Sequence, residues 1–288
     1  MNVRIVDGLG ICEGVTLLSE DLGISISDSA DVEVCAEASS DNTLRTELSE
    51  KKVKISAPTK AAFYRGLARA VSYLKGGEVS VKYSETPIFS DVGAMVDMSR
   101  NGAMNVFGVK EMLKKCALMG MTTFMLYTED NYEIDGYPYF GHLRGRYTKD
   151  ELRELDSFAL KLGIELIPCI QTSGHLATHL TWGAAATYKD TASTLLVGAD
   201  ETYELIHAMM RTVKECFTTK RIHIGMDEAR DLGSGKYLEK YGYKKRSEIF
   251  LEHLKRVTEI VRSYGLEPMM WSDMFFRLAA GGKIPGYR

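Results

Sequence analysis

A chain of 288 residues with 45% hydrophobic and 26% charged residues has room for about two domains and a large core, which excludes a small disulfide-stapled module and a disordered chain. Its 36 Lys and Arg against 39 Asp and Glu leave a formal charge of -3, so no positive surplus drives counterion release and nucleic acid is not expected as a partner. No basic segment followed by an apolar stretch opens the chain and no window holds about 18 apolar residues, so neither a signal peptide nor a membrane span is expected. The five cysteines (Cys12, Cys35, Cys116, Cys169 and Cys216) are odd in number and set apart in apolar or helical segments, which predicts buried thiols and a cytoplasmic protein.

Residues 1–86 read as a small α+β domain. Ala30 to Ala38 and Leu44 to Ala57 are rich in Val, Ile and Thr with partial alternation, and Leu48-Ser49-Glu50-Lys51 has the composition of a hairpin turn, so antiparallel strands are expected. Thr59 is a candidate N-cap for a helix carrying Phe63, Leu67, Ala70, Val71 and Leu74 at helical spacing, which Gly76-Gly77 ends. Val79 to Tyr83 returns as a strand, and Thr86-Pro87 marks the boundary of a second domain, residues 87–288.

From Phe89 onward short apolar strands alternate with amphipathic helices. Strands are expected at Val92 to Met98, Thr122 to Tyr127, Ile164 to Ile170, Ile222 to Met226 and Pro268 to Trp271. Helices are expected near Val109 to Met119, Lys149 to Leu162, Glu201 to Phe217 and Arg246 to Tyr264, three of them closing on Gly120, Gly163 or Gly265. Repeated strand-helix units imply a parallel sheet, doubly wound or closed as a (β/α)8 TIM-type barrel. Polar clusters follow every strand: Asp97 with Arg100, Glu129 with Asp130, Gln171 with His175, Asp227 with Glu228, and Trp271 with Asp273. Convergence of all strand ends on one mouth favours the barrel, and no Gly-x-Gly-x-x-Gly fingerprint follows the first strand. Eight units take about 250 residues, whereas residues 89–288 supply about five units, so the barrel is expected to be incomplete and the chain to be the N-terminal portion of a longer protein.

The sharpest local signal is Arg221-Ile222-His223-Ile224-Gly225-Met226-Asp227-Glu228-Ala229. If strand pairing ends near Asp227, the backbone can turn both carboxylates toward the mouth. Glycosidic cleavage needs a proton donor at the leaving oxygen and a group that stabilises positive charge at the anomeric carbon, and two carboxyl groups in unlike environments can divide those tasks. Capping of a following loop is the plainer role for such a pair. Arg100 offers a planar fork of donors to vicinal hydroxyls, or a salt bridge to Asp97. Trp271 is a candidate to stack on a pyranose or to fill the core, and Asp273 to bind a hydroxyl or cap a turn. His175 and His179, four apart, with His223 on another strand end, raise a metal hydrolase as the rival enzyme, although no His-Glu-x-x-His is present. The aromatic stretch Tyr132, Tyr137, Tyr139, Phe140 and Tyr147 lies in a long loop that either shapes substrate subsites or packs on itself.

With these residues in hand, the chain resembles the family 20 glycoside hydrolases, the β-N-acetylhexosaminidases. His223-Ile224-Gly225-Met226-Asp227-Glu228 matches the family's His-x-Gly-x-Asp-Glu motif at the fourth strand. Val96-Asp97-Met98-Ser99-Arg100 resembles its first-strand motif, Ile164 to Pro168 with Gly174-His175 its third-strand region, and residues 1–86 the small domain that commonly precedes the barrel. Met226 and Ser173 stand where many members carry glycine and proline. The resemblance implies hydrolysis of terminal β-linked N-acetylglucosamine or N-acetylgalactosamine with retention, the substrate's acetamido oxygen acting as nucleophile. It assigns Asp227 to orient the acetamide, Glu228 to act as acid and base and Arg100 to hold sugar hydroxyls; His175, Trp271 and Asp273 are the further candidates to bind the substrate. His223 and Asp97 support them. It implies a glycan or amino-sugar substrate with no cofactor or metal, and the second reading is a carbohydrate- or partner-binding remnant without turnover.

Overall fold

The computed structural model describes residues 1–100 and 102–279. These cluster into two compact units, one comprising Met1–Met95, Met104–Phe124 and Leu155–Leu166, the other Val96–Ala103, Met125–Glu154 and the described residues from Ile167 onward.

The first unit holds a six-stranded mixed sheet. In chain order come β1 (Asn2–Asp7), α1 (Cys12–Leu22), β2 (Ser25–Ile26), β3 (Val32–Ala38), β4 (Leu44–Ser49), β5 (Lys52–Ala57), α2 (Lys60–Lys75) and β6 (Ser80–Glu85), with strand order β2-β1-β3-β5-β4-β6. Strict alternation in β4, where Leu44, Thr46 and Leu48 are buried and their neighbours exposed, presents one face to the helices. Thr59 caps α2 as expected, its side chain accepting from the Ala62 N–H. The expected hairpin joins β4 and β5, and β6 pairs antiparallel with β4. β3 differs from expectation: it runs parallel to both β1 and β5. β1 and α1 lie outside the expected elements, and of Asn2 to Asp7 only Val3 is fully buried.

A second sheet follows, built from β7 (Gly93–Asp97), α3 (Val106–Met119), β8 (Thr123–Glu129), α4 (Lys149–Lys161), β9 (Glu165–Ile170), α5 (Ala177–Leu180), α6 (Asp200–Cys216), β10 (Arg221–His223), α7 (Lys236–Tyr241), α8 (Arg246–Ser263), β11 (Glu267–Met269) and α9 (Asp273–Ala279). Its strand order is β11-β10-β9-β8-β7, sequential throughout, and β10 pairs parallel with both β9 and β11. A doubly wound sheet reverses direction at a switch point, whereas a barrel adds strands in sequence. β9 is buried along nearly its whole length, the pattern of a strand covered on both faces. All five expected strands and all four expected helices are present, β10 and β11 shorter than the apolar runs suggest. Gly120, Gly163 and Gly265 carry φ of 79°, 69° and 71°, the left-handed geometry that ends a helix. Among the described residues no helix is long and apolar enough to cross a membrane. Cys116, Cys169 and Cys216 are buried, but Cys12 is exposed and Cys35 partly so, and no two cysteines are paired.

Candidate active site

Every residue of the site belongs to the second unit, and most sit at or just beyond the end of a strand. Beyond β7, the Asp97 carboxylate accepts from the Ser99 N–H at 2.8 Å and from the Ser99 hydroxyl at 2.7 Å. Arg100 spans two strand ends, donating to Asp97 Oδ2 at 2.6 Å and to Glu129 Oε1, at the end of β8, at 3.0 Å. Burial works to raise the Asp97 carboxyl, but the Ser99 bonds and the Arg100 charge outweigh it and hold it below the ordinary range.

From Glu129 the polar chain continues inward. The Tyr127 hydroxyl donates to Glu129 Oε1 at 3.1 Å and accepts from Gln171 Nε2 at 3.0 Å; the other Gln171 N–H donates to Asp227 Oδ1 at 2.7 Å. Gln171 Oε1 accepts the Met226 N–H at 3.2 Å, so one amide locks the turn that carries Asp227. His175 Nε2 lies 3.1 Å from Asp227 Oδ2 and 3.7 Å from Glu228 Oε2. Burial pushes Asp227 up, yet the bonds from His175 and Gln171 prevail and keep it below the ordinary carboxylate range, an anion at neutral pH. The reciprocal bond to Asp227 raises His175 above its ordinary value despite partial burial.

The two carboxylates of the strand-four motif differ in setting. Asp227 is partly buried and held by two neutral or cationic donors, while Glu228 is exposed, its Oε1 paired with Arg230 at 3.0 Å and its N–H donating to Asp273 Oδ2 at 3.3 Å. β10 ends at His223, and Gly225, Met226 and Glu228 then take φ of 72°, 73° and 48°, which turns the chain so that adjacent carboxylates share one side. Six non-glycine described residues have positive φ, and Glu129, His175, Met226 and Glu228 are four of them. Such backbone strain persists where surrounding contacts over-determine it and gathers at functional sites.

A cleft of about 800 Å³ opens here, lined among others by Arg100, Glu129, Arg144, His175, Glu228 and Arg230. Arg144 donates to the buried Asp130 at 2.6 Å, and burial pushes that carboxyl upward against the arginine's opposing charge. The remaining expected residues take other positions. His223 is buried and accepts the Gly225 N–H at 3.2 Å, its ring 4.8 Å from that of Trp271. Trp271 is 39% exposed and is not among the residues lining the cleft, and Asp273 opens α9. His175 and His179 do not share a helical face: His175 has φ 55° and precedes α5, and the buried His179 ring stacks on Tyr188. Among the described residues, no group of three or more His, Cys, Asp or Glu is arranged to hold a metal ion. Sequence reading missed Tyr127 as the link between strand ends and Arg230 as the partner of Glu228. A tyrosine inside an apolar strand and an arginine in a loop carry no local signal of such roles.

Sequentially ordered parallel strands with carboxylates, guanidinium and imidazole gathered at their ends define a barrel-type catalytic scaffold. The chain belongs to glycosyl hydrolase family 20, whose catalytic-domain profile matches residues 89–283. Hexosaminidase D of Bos taurus is 30% identical over 169 residues, covering 52% of this chain and 49% of that protein, and the Homo sapiens form is 30% identical over 154 residues, covering 49% and 32%. The chain thus spans about half or less of the length of these curated relatives. The fold is similar to that of a family 20 exo-β-N-acetylglucosaminidase from Vibrio harveyi in complex with N-acetylglucosamine, at TM-score 0.74 and 21% identity over 95% of this chain and 51% of that one. It is also similar to a mutant Streptomyces plicatus β-hexosaminidase in complex with product, at TM-score 0.75 and 20% identity over 98% and 62%.

Proposed function

We propose that this chain carries the catalytic machinery of a β-N-acetylhexosaminidase that removes terminal non-reducing β-linked N-acetylglucosamine or N-acetylgalactosamine. The observation that carries the reading is the pairing of an anchored anion with an exposed carboxyl: Asp227, held by Gln171 and His175, beside Glu228 on the cleft. The 2-acetamido oxygen attacks the anomeric carbon while the glycosidic bond breaks and the leaving oxygen takes a proton from Glu228. Asp227 accepts from the acetamide N–H and offsets the charge of the oxazolinium-like intermediate. Glu228 then takes a proton from water, which opens the intermediate with net retention. Arg100, fixed by Asp97 and Glu129, presents its remaining donors to sugar hydroxyls. Arg230, paired with Glu228, gives way as the leaving group enters.

Residues 1–86 form a small α+β domain in this reading, and residues 87–288 the first five units of a (β/α)8 barrel. Sequential strand order supports it, as does the partial cover of the outer strands β7 and β11, neither with a fully buried residue. The enzyme acts in the cytoplasm on a glycan or amino-sugar substrate without a cofactor.

Release of chromophore from an aryl β-N-acetylglucosaminide, with and without a chelator, tests the activity. Turnover that survives chelation and falls at least 100-fold in Glu228→Gln and Asp227→Asn is expected. Undiminished turnover in Glu228→Gln would overturn the assignment of acid and base, and chelator-sensitive turnover would overturn the metal-free mechanism.

A further inference from the structure

Both anchors of Asp227, Gln171 and His175, come from one short segment. β9 ends at Ile170 and α5 begins at Ala177, so the segment between them lies outside both ladder and helix. Gln171, Thr172 and Ser173 are nevertheless fully buried, where backbone polar groups need partners. The Thr172 N–H and hydroxyl both donate to the Ile224 carbonyl, at 3.2 and 2.9 Å, which ties the segment to the turn that carries Asp227. The Ser173 carbonyl accepts the Leu195 N–H at 3.0 Å. The Thr172 carbonyl is taken by a side chain: His253 of α8, whose Nε2 lies 2.7 Å away.

A carbonyl only accepts, so Nε2 carries the ring proton. Burial keeps the ring neutral at neutral pH, which leaves a lone pair on Nδ1, and the Tyr203 hydroxyl of α6 donates to it at 3.2 Å. Tyr203 thereby sets the tautomer that bonds Thr172. Tyr203 is held in turn by Arg256, whose guanidinium lies 3.5 Å from the centre of its ring and pairs with Asp200 at 3.3 Å. His253 is fully buried and is not among the residues lining the cleft. An apolar ring of similar size would fill its place in the core equally well. What such a ring lacks is the donor for Thr172.

We propose that His253 is a positioning residue for Asp227: through the Thr172 carbonyl it fixes the segment that carries Gln171 and His175, and Tyr203 fixes the tautomer in which it does so. The proposal rests on the glycosidase reading above and deepens it, adding a route from α6 and α8 to the carboxylate that stabilises the cyclised intermediate.

Steady-state hydrolysis of an aryl β-N-acetylglucosaminide, together with binding of the thiazoline analogue of the cyclised intermediate, tests it on the full chain. His253→Phe lowers kcat by at least about 10-fold and changes KM by less than about 2-fold, because a displaced Asp227 fails the intermediate more than the ground state. Thiazoline affinity falls in step with kcat. His253→Gln, which keeps an N–H donor, recovers most of the loss. Tyr203→Phe removes one hydroxyl from a core that stays filled, and lowers kcat by about 3-fold at unchanged KM. It serves as the deciding variant should His253→Phe fail to fold, and unchanged kcat in it then overturns the proposal. Unchanged kcat in folded His253→Phe, a loss confined to KM, or equal losses in His253→Phe and His253→Gln also overturn it. Where the unaltered chain hydrolyses the glycoside and binds the thiazoline, those outcomes strike the positioning role alone. An unaltered chain that does neither removes the glycosidase reading, and the positioning role with it.

Discussion

Gln171 and Asp227, beyond the ends of the neighbouring strands β9 and β10, are joined by a 2.7 Å hydrogen bond in which the amide Nε2 donates to the carboxylate. The same amide donates to Tyr127 and accepts from the Met226 N–H, so three strand ends are tied through one fully buried side chain. Gln171→Ala removes these partners at once and leaves buried polar groups unpaired, at a cost of about 1–3 kcal/mol. Asp227 also loses one of its two side-chain anchors, so kcat on an aryl N-acetylglucosaminide falls by at least about 10-fold. Unchanged kcat in a folded variant would show that Gln171 does not position Asp227.

Gly225 has no room for a side chain. A Cβ there would lie 2.1 Å from Gln171 Oε1, and φ is 72°. Gly225→Ala therefore displaces the Gln171 amide and adds backbone strain of about 1–3 kcal/mol. Thermal unfolding is expected to move down and activity to fall together with that of Gln171→Ala. A double variant whose loss equals the sum of the two single losses would refute this shared route.

The His175–Asp227 bond makes stability depend on pH in a defined window. His175 is raised above its ordinary 6.5, so its contribution is complete below that value and is lost as pH rises through the folded value. Asp227 is lowered below its ordinary 3.8, so its contribution is complete above 3.8 and is lost as pH falls through the folded value. The difference in unfolding free energy between the unaltered protein and His175→Gln is thus greatest between about pH 4 and 6.5 and shrinks on the alkaline side. Denaturant titrations across pH 4 to 9 check it, and a flat difference contradicts it.

His253 predicts the opposite slope. It is fully buried in α8, its Nδ1 accepting from the Tyr203 hydroxyl at 3.2 Å and its Nε2 donating to the Thr172 carbonyl at 2.7 Å, next to Gln171. Burial brings it down to about 4 from 6.5, so it stays neutral in the fold while the unfolded chain takes up a proton. Stability falls as pH drops from 6.5 to about 4, by about 3 kcal/mol from this residue alone. His253→Gln is expected to flatten that part of the profile, and an unchanged acid limb would assign it to other groups.

Much of the second sheet was legible because its strands are continuous apolar runs and its helices close on glycines that must adopt positive φ, both local properties. The carboxylate pair was legible for the same reason, since His223 to Glu228 are contiguous. The strand direction of β3 was not: parallel or antiparallel pairing depends on which strand lies beside it, and β1, its parallel neighbour, buries only Val3 fully. The two histidines four apart were misleading, because helical spacing means a shared face only inside a helix, and His175 stands in left-handed backbone before α5 begins.

The sequence by itself determined the five strands of the second sheet and the four main helices between them, three of the places where helices stop and the identity of the paired carboxylates, all set by periodicity, glycine conformation and a contiguous motif. Tertiary structure decided what distinguishes those carboxylates. Asp227 is an anchored anion because Gln171 and His175 come from beyond the next strand, and Glu228 faces the cleft because strained backbone turns it there. The relay from Arg100 through Glu129, Tyr127 and Gln171 to Asp227 joins residues up to 127 positions apart, at distances that only the folded sheet can set.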